Sequence, residues 1–179
     1  MLVTGLGPVG LAAALLAKAM GAERVIGMDV GPSRVDLARS LHAVDDAILG
    51  EGDGSEVVDQ VLEMTGGRGC EVAVDCSGAS AARAVALRSA RENARVVMVG
   101  EGGRLDLDVS ADLIHPQRRL LGSWVTSVPH MADLIEHLVR WNLHPERIVT
   151  ARFPLAEASQ AYATADAGQG GKVAIVMDR

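Results

Sequence analysis

A chain of 179 residues, 49% of them apolar, is long enough to bury the core of one domain with an appendage. A net charge of −6 and only four aromatic residues, Trp124, Trp141, Phe153 and Tyr162, exclude a nucleic-acid surface, which needs cations and stacking platforms. There is no apolar span of about 18 residues, no basic cluster and no charged-then-apolar leader, so a soluble cytoplasmic protein without a membrane partner is expected.

The first apolar run, Leu2-Val3-Thr4, predicts a strand. Gly5-Leu6-Gly7-Pro8-Val9-Gly10 follows it directly and opens an Ala/Leu-rich helical stretch from Leu11 to Met20. A second apolar run, Arg24 to Met28, ends at Asp29, nineteen residues past Gly10. Strand, glycine-rich turn, helix, strand and acid together form the dinucleotide-binding fingerprint. Gly5 permits the tight exit from the strand, Gly7 lets backbone approach a pyrophosphate, and Gly10 lets the helix lie close on the sheet. The pyrophosphate is expected at the helix N-terminus, where unpaired N–H groups and the dipole favour negative charge. Pro8 suits the first helical turn, because its missing N–H would have no intrahelical partner there. A carboxylate at Asp29 accepts hydrogen bonds from the adenosine ribose and repels a 2′-phosphate, which predicts NAD as cofactor over NADP. Arg34 could reach the same ribose or soften that discrimination. The competing reading is a βαβ unit whose glycines serve only turn and packing, with Asp29 a solvated strand-end acid. The complete context of the motif favours the nucleotide.

The alternation continues. A helix from about Pro32 to Leu41 carries the apolar stripe Val35, Leu37, Ala38 and Leu41, and a short strand follows at Ala47 to Leu49. The loop Gly50 to Gly54 leads into a helix through Val57, Val58, Val61 and Leu62, stopped by Gly66-Gly67. A fourth strand at Val72 to Val74 ends in Asp75-Cys76-Ser77-Gly78, and an Ala-rich helix runs from Ser80 to about Arg91. The fifth strand is Arg95 to Val99; after an irregular stretch from Glu101 to Arg119, the sixth is Leu120 to Val125. These elements predict an α/β fold: a doubly wound parallel six-stranded sheet, order 3-2-1-4-5-6, with its ligand crevice where the order reverses. Helices at Pro129 to Trp141 and about Leu155 to Ala167, then a strand at Lys172 to Met177, make a C-terminal helix-helix-strand tail. The expected division is residues 1–125 for the NAD(P)-binding domain and 126–179 for the tail.

Other chemistries fit poorly. His130 and His137 lie seven apart on the expected tail helix, about 10 Å along its axis. No HExxH spacing and no Cys/His cluster occurs, so no metal site and no catalytic residue is assigned within the chain. Cys70 and Cys76 flank one strand and read as small, buried, inert side chains. Tyr162 has Asp166 rather than Lys four residues on, which excludes the short-chain dehydrogenase pairing, and neither a serine nucleophile elbow nor a Walker loop is present. A methyltransferase could use a similar glycine loop and acid, but the proline in the turn weighs against it.

The chain resembles the zinc-type alcohol dehydrogenases of the medium-chain dehydrogenase/reductase family. The resemblance rests on Val3-Thr4-Gly5-Leu6-Gly7-Pro8-Val9-Gly10, Val25 to Asp29 with Arg34, Leu121-Gly122-Ser123-Trp124, and Phe153-Pro154-Leu155, Ala161-Tyr162 and Gly171-Lys172-Val173. It covers the second half of a family member. It implies that Val9 and Gly10 line the pyrophosphate, that Asp29 and Arg34 hold the adenosine ribose, and that Cys76 and Ser77 lie on the nicotinamide side. It also implies that the backbones of Val99, Ser123 and Val125 hold the carboxamide, and that strand six meets its counterpart in a homodimer. A small alcohol or polyol is the implied substrate, handled only with the N-terminal domain that carries the family's zinc ligands. The sequence begins inside the central strand, which suggests a truncated product, a mis-set start or an excised domain; alone, it is expected to be inactive. A stand-alone, non-catalytic dinucleotide-binding module is the alternative. Where the family usually has Gly-Gly before strand five, this chain has Asn93-Ala94; Asn tolerates the left-handed conformation, so only a modest change is expected. Apolar surface from about Trp124 onward is expected to be exposed and to favour association.

Overall fold

Leu2 and Val3 are neighbours in β1 (Leu2–Thr4), yet each is fully buried in a different apolar cluster. Successive strand residues face opposite sides of a sheet, so a strand buried on both sides must be covered on both. Leu2 packs in one cluster with Val57 and Val61 of α3 (Ser55–Met64) and Val85 and Ala86 of α4 (Ser80–Arg88). Val3 packs in the other with Leu11 and Ala14 of α1 (Pro8–Ala19) and Val35 and Ala38 of α2 (Pro32–Ser40). This is the two-faced covering of a doubly wound sheet. The structure, a computed structural model, describes residues 1–168 and 170–177; residues 169, 178 and 179 of the expected tail lie outside the described residues.

The six strands lie in the order β3 (Asp46–Leu49), β2 (Ile26–Asp29), β1, β4 (Cys70–Asp75), β5 (Ala90–Met98) and β6 (Arg119–Gly122). Every pair is parallel. Thr4 is in register with Met28 of β2 and with Asp75 of β4. The chain reverses its winding between β1 and β4, so the carboxyl ends of β2, β1 and β4 open onto one crevice. The fold is the expected Rossmann sheet.

Several boundaries differ from the sequence reading, most of them by one or two residues. The fourth helix stops at Arg88 rather than near Arg91, because Ser89 O accepts the Cys70 N–H at 2.9 Å and Ala90 pairs with Cys70. Strand β5 therefore starts at Ala90, five residues before the expected Arg95, and its register shifts between Cys70 and Val72. Asn93 sits in that shift with φ of 60°, the left-handed conformation expected for it. Strand β6 ends at Gly122 instead of Val125, and Val125 itself has φ of 45°, which no strand continues through. The stretch read as irregular holds a π-helical turn, Val109–Ile114, capped by Asp108, which accepts the N–H groups of Ser110 and Ala111.

The tail holds one strand more than expected. Beside α5 (Val128–Arg140), α6 (Ala158–Asp166) and β8 (Lys172–Val176) stands β7 (Val149–Pro154), and β7 and β8 pair in parallel as a separate two-stranded sheet. Part of the tail lies against the main sheet unit. Leu134, Leu138, Leu143 and Ile148 line an apolar hollow with Ala12, Leu15 and Leu16 of α1, and Arg147 donates to Leu41 O at 3.3 Å. The outer surface of α5 is bare: Val128 and Val139 are 79% and 78% exposed, and Trp124 before them 72%.

Candidate functional site

The turn after β1 has the shape its glycines predict. Gly5 has φ of 86°, and a Cβ there would lie 2.7 Å from the Ser77 backbone nitrogen. A Cβ on Gly10 would collide with the Gly5 carbonyl, so the start of α1 presses directly on the turn. Gly7 is the opposite case. Nothing lies within 4 Å of where its Cβ would be, and its φ of −68° is ordinary. Tightness explains Gly5 and Gly10, whereas Gly7 faces an open approach to backbone.

Helix α1 takes Gly7 as its N-cap and Pro8 as its first residue, and no side chain caps it. The internal ladder begins at Leu11, whose N–H donates to Gly7 O at 2.9 Å. Among the described residues, the N–H groups of Val9 and Gly10 are thus helix-end donors without an intrahelical acceptor. Leu6 N–H is already used: it donates to Asp29 Oδ2 at 2.7 Å. Asp29, at the tip of β2, is 3% exposed and also accepts Gly31 N–H on Oδ1 at 2.8 Å. Arg34 Nη1 stands 3.6 Å from Asp29 Oδ2, and Arg34 Nε is buried with no hydrogen-bond partner among the described residues. A buried donor left without an acceptor is costly.

Gly5, Asp29, Arg34 and Ser77 line one crevice of about 650 Å³, counting its open mouth, and Glu51, Gly52 and Gly54 close its far side. The β3–α3 loop was not singled out from sequence as part of a site, although its Gly50-Glu51-Gly52-Asp53-Gly54 run after a strand carried the signal. Gly7, Pro8, Val9, Gly10 and Cys76 do not line this crevice; the first four form the adjoining turn. Val99, Ser123 and Val125 lie farther along, past the ends of β5 and β6. The N–H groups of Val99 and Ser123 are committed to Asp75 O at 2.8 Å and Met98 O at 2.9 Å.

The sequence reading passed over Asp75. Its carboxylate is fully buried and gathers the Thr4 hydroxyl at 3.0 Å, the Ser77 hydroxyl and N–H, the Gly78 N–H, and Arg83 Nε at 3.4 Å. Next to it, burial and then the Asp75 charge push the Cys76 thiol up to about 12, so it stays protonated. Burial also raises Cys70, in keeping with inert side chains. The tail histidines stand apart from this crevice: His137 stacks on Trp141 at 4.7 Å between ring centroids, and its Nδ1 lies 2.6 Å from Asp133 O.

Comparison with known proteins agrees with this geometry. Residues 8–140 match the family model described as zinc-binding dehydrogenase. The chain belongs to that family. Over 175 residues it is 46% identical to an uncharacterized zinc-type alcohol dehydrogenase-like protein, YphC, of Escherichia coli K12, covering 98% of this chain and 49% of that protein. It is 30% identical over 187 residues to sorbitol dehydrogenase of Mus musculus, covering 99% of this chain and 49% of the enzyme. The crystal structure of an alcohol dehydrogenase from Thermotoga maritima shares the fold with a TM-score of 0.87 at 23% identity, over 99% of this chain and 49% of that one. The chain spans about half the length of the curated relatives it matches. Among the described residues, no helix is long and apolar enough to cross a membrane.

Proposed function

We propose that this chain is the coenzyme-binding portion of a zinc-dependent alcohol or polyol dehydrogenase that moves hydride between a hydroxyl-bearing carbon and NAD. One observation carries the reading: the open backbone at Gly7 lies in the turn whose Leu6 N–H is held by the buried Asp29. Val9 and Gly10 N–H groups hold the diphosphate at the positive end of α1. Asp29 holds the adenosine ribose, since each of its oxygens keeps acceptor capacity beyond its one backbone donor. The Asp29 carboxylate repels the 2′-phosphate of NADP. The remaining half of the dinucleotide runs the other way, toward Cys76, Ser77, Val99, Ser123 and Val125.

Bound NAD supplies the hydride acceptor, and the protein supplies orientation and electrostatics. Among the described residues, no group of three His, Cys, Asp or Glu side chains could hold a metal ion. The zinc of the whole enzyme is assigned to a companion domain. Residues 1–125 form the binding domain. The tail, 126–179, presents the bare face of α5 to the companion domain, and the β6 edge pairs with a second copy. The setting is cytoplasmic.

Calorimetric titration of the 179-residue chain with NAD and NADP tests the reading. NAD is expected to bind more tightly, and Asp29→Asn to narrow the gap. Tighter binding of NADP would transfer the discrimination to Arg34 and overturn the role given to Asp29.

A further inference from the structure

Asp75 and Arg83 have no place in the binding scheme above, yet they are the most heavily connected charged pair near the crevice. Asp75 ends β4, and its carboxylate joins the end of β1 to its own exit loop. Thr4, the last residue of β1, donates to Oδ1; the Ser77 hydroxyl and N–H donate to the same oxygen at 2.7 and 3.1 Å; Gly78 N–H donates to Oδ2 at 3.1 Å. Arg83, on α4 and only 14% exposed, adds Nε to Oδ2 at 3.4 Å and sends Nη2 to Gly100 O at 2.6 Å. Gly100 belongs to the loop leaving β5, and its N–H donates in turn to Asp75 O at 2.9 Å. The loops leaving β4 and β5 thus lie backbone on backbone: a Cβ on Gly100 would sit 2.7 Å from the Ser77 carbonyl carbon.

We infer that Asp75 and Arg83 are positioning residues that fix the exit loops of β4 and β5 as one rigid wall for the second nucleoside of the dinucleotide. The inference rests on the dinucleotide reading and follows from strand order. With the adenosine ribose at β2 and the diphosphate at the β1–α1 turn, the rest of the ligand can extend only over β4 and β5. The wall it meets there is loop backbone, joined once by the Gly100 N–H bond to Asp75 O and a second time through Arg83. The guanidinium is the brace, because its fork reaches a carboxylate on one loop and a carbonyl on the other at once.

Removing the brace should therefore loosen the β5 exit loop at Gly100, on the side of the second nucleoside, while Asp75 still holds Ser77 in the adenosine crevice. Arg83→Met keeps the stem but loses both bonds; Asp75 still has its Thr4, Ser77 and Gly78 donors. Arg83→Lys keeps the charge but cannot reach both partners. The chain and both variants are titrated with ADP, which fills only the adenosine and diphosphate end, and with NADH, whose dihydronicotinamide emission reports its own surroundings. ADP affinity is expected to stay within about twofold in Arg83→Met, NADH affinity to fall about tenfold, and the emission gain on binding to shrink, with Arg83→Lys intermediate. Equal losses for ADP and NADH, no loss for either, or failure of both variants to fold would each overturn the positioning role. If the unaltered chain binds neither ADP nor NADH, the dinucleotide reading itself fails, and that outcome is visible before any variant is compared.

Discussion

Gly7→Ala and Gly10→Ala are the same chemical change three residues apart, and the structure predicts opposite outcomes. A methyl group on Gly10 would lie 2.9 Å from the Gly5 carbonyl carbon and closer still to its oxygen. Both partners are backbone, so α1 must lift from the turn. Overpacking of this kind costs about 1–3 kcal/mol. At about 2–4 °C per kcal/mol for a chain of this size, that lowers the Tm by about 2–12 °C. A methyl on Gly7 meets nothing within 4 Å, and φ of −68° suits alanine. Its only structural cost is a poorer N-cap, about 1 kcal/mol or less. In the ligand complex that methyl stands where the diphosphate must approach the backbone. Losing one charged hydrogen bond there costs about 1.5–3 kcal/mol, or about 10- to 150-fold in affinity. Thermal melts monitored by circular dichroism, paired with NAD titrations, separate the two effects. If Gly7→Ala bound NAD as tightly as the unaltered chain, the turn would not be the diphosphate cradle, and the role of the open backbone would be refuted.

Two further outcomes follow from local environments. Burial holds the Cys76 thiol up to about 12 against an ordinary 9.0, so between those values the folded chain keeps a proton that the unfolded chain loses. Stability is therefore fully present below about pH 9 and declines as pH rises toward about 12. Denaturant midpoints across that range should fall, Cys76→Ala should flatten the fall, and rapid labelling of Cys76 in the native chain near pH 8 would contradict it. Asn93 adopts φ of 60° at the register shift of β5, so Asn93→Ala should destabilise by about 1–2 kcal/mol while Asn93→Gly is tolerated; equal urea midpoints for the two would remove the conformational explanation.

Local chemistry made much of this protein legible in its residues. The glycine turn, Pro8 at a helix start and Asp29 after a second apolar run are contiguous signals, each arising within a few residues of where it acts. The alternation of strands and helices likewise fixed the order of the six-stranded sheet, because right-handed crossovers leave few other arrangements. What the residues could not show depends on partners distant in sequence. Strand β7 reads as a short polar-apolar run between Pro145 and Pro154, and it is a strand only because β8 lies beside it. Helix α4 ends at Arg88 because Cys70 claims Ser89 O, a contact no helical periodicity encodes. Nothing near Asp75 in the sequence marks it, and only folding brings Thr4, 71 positions away, and Arg83 onto its carboxylate. Short-range signals specify backbone conformation, whereas the burial and pairing of a charge are settled only when the sheet assembles, since desolvation makes a buried carboxylate tolerable only with all its donors in place.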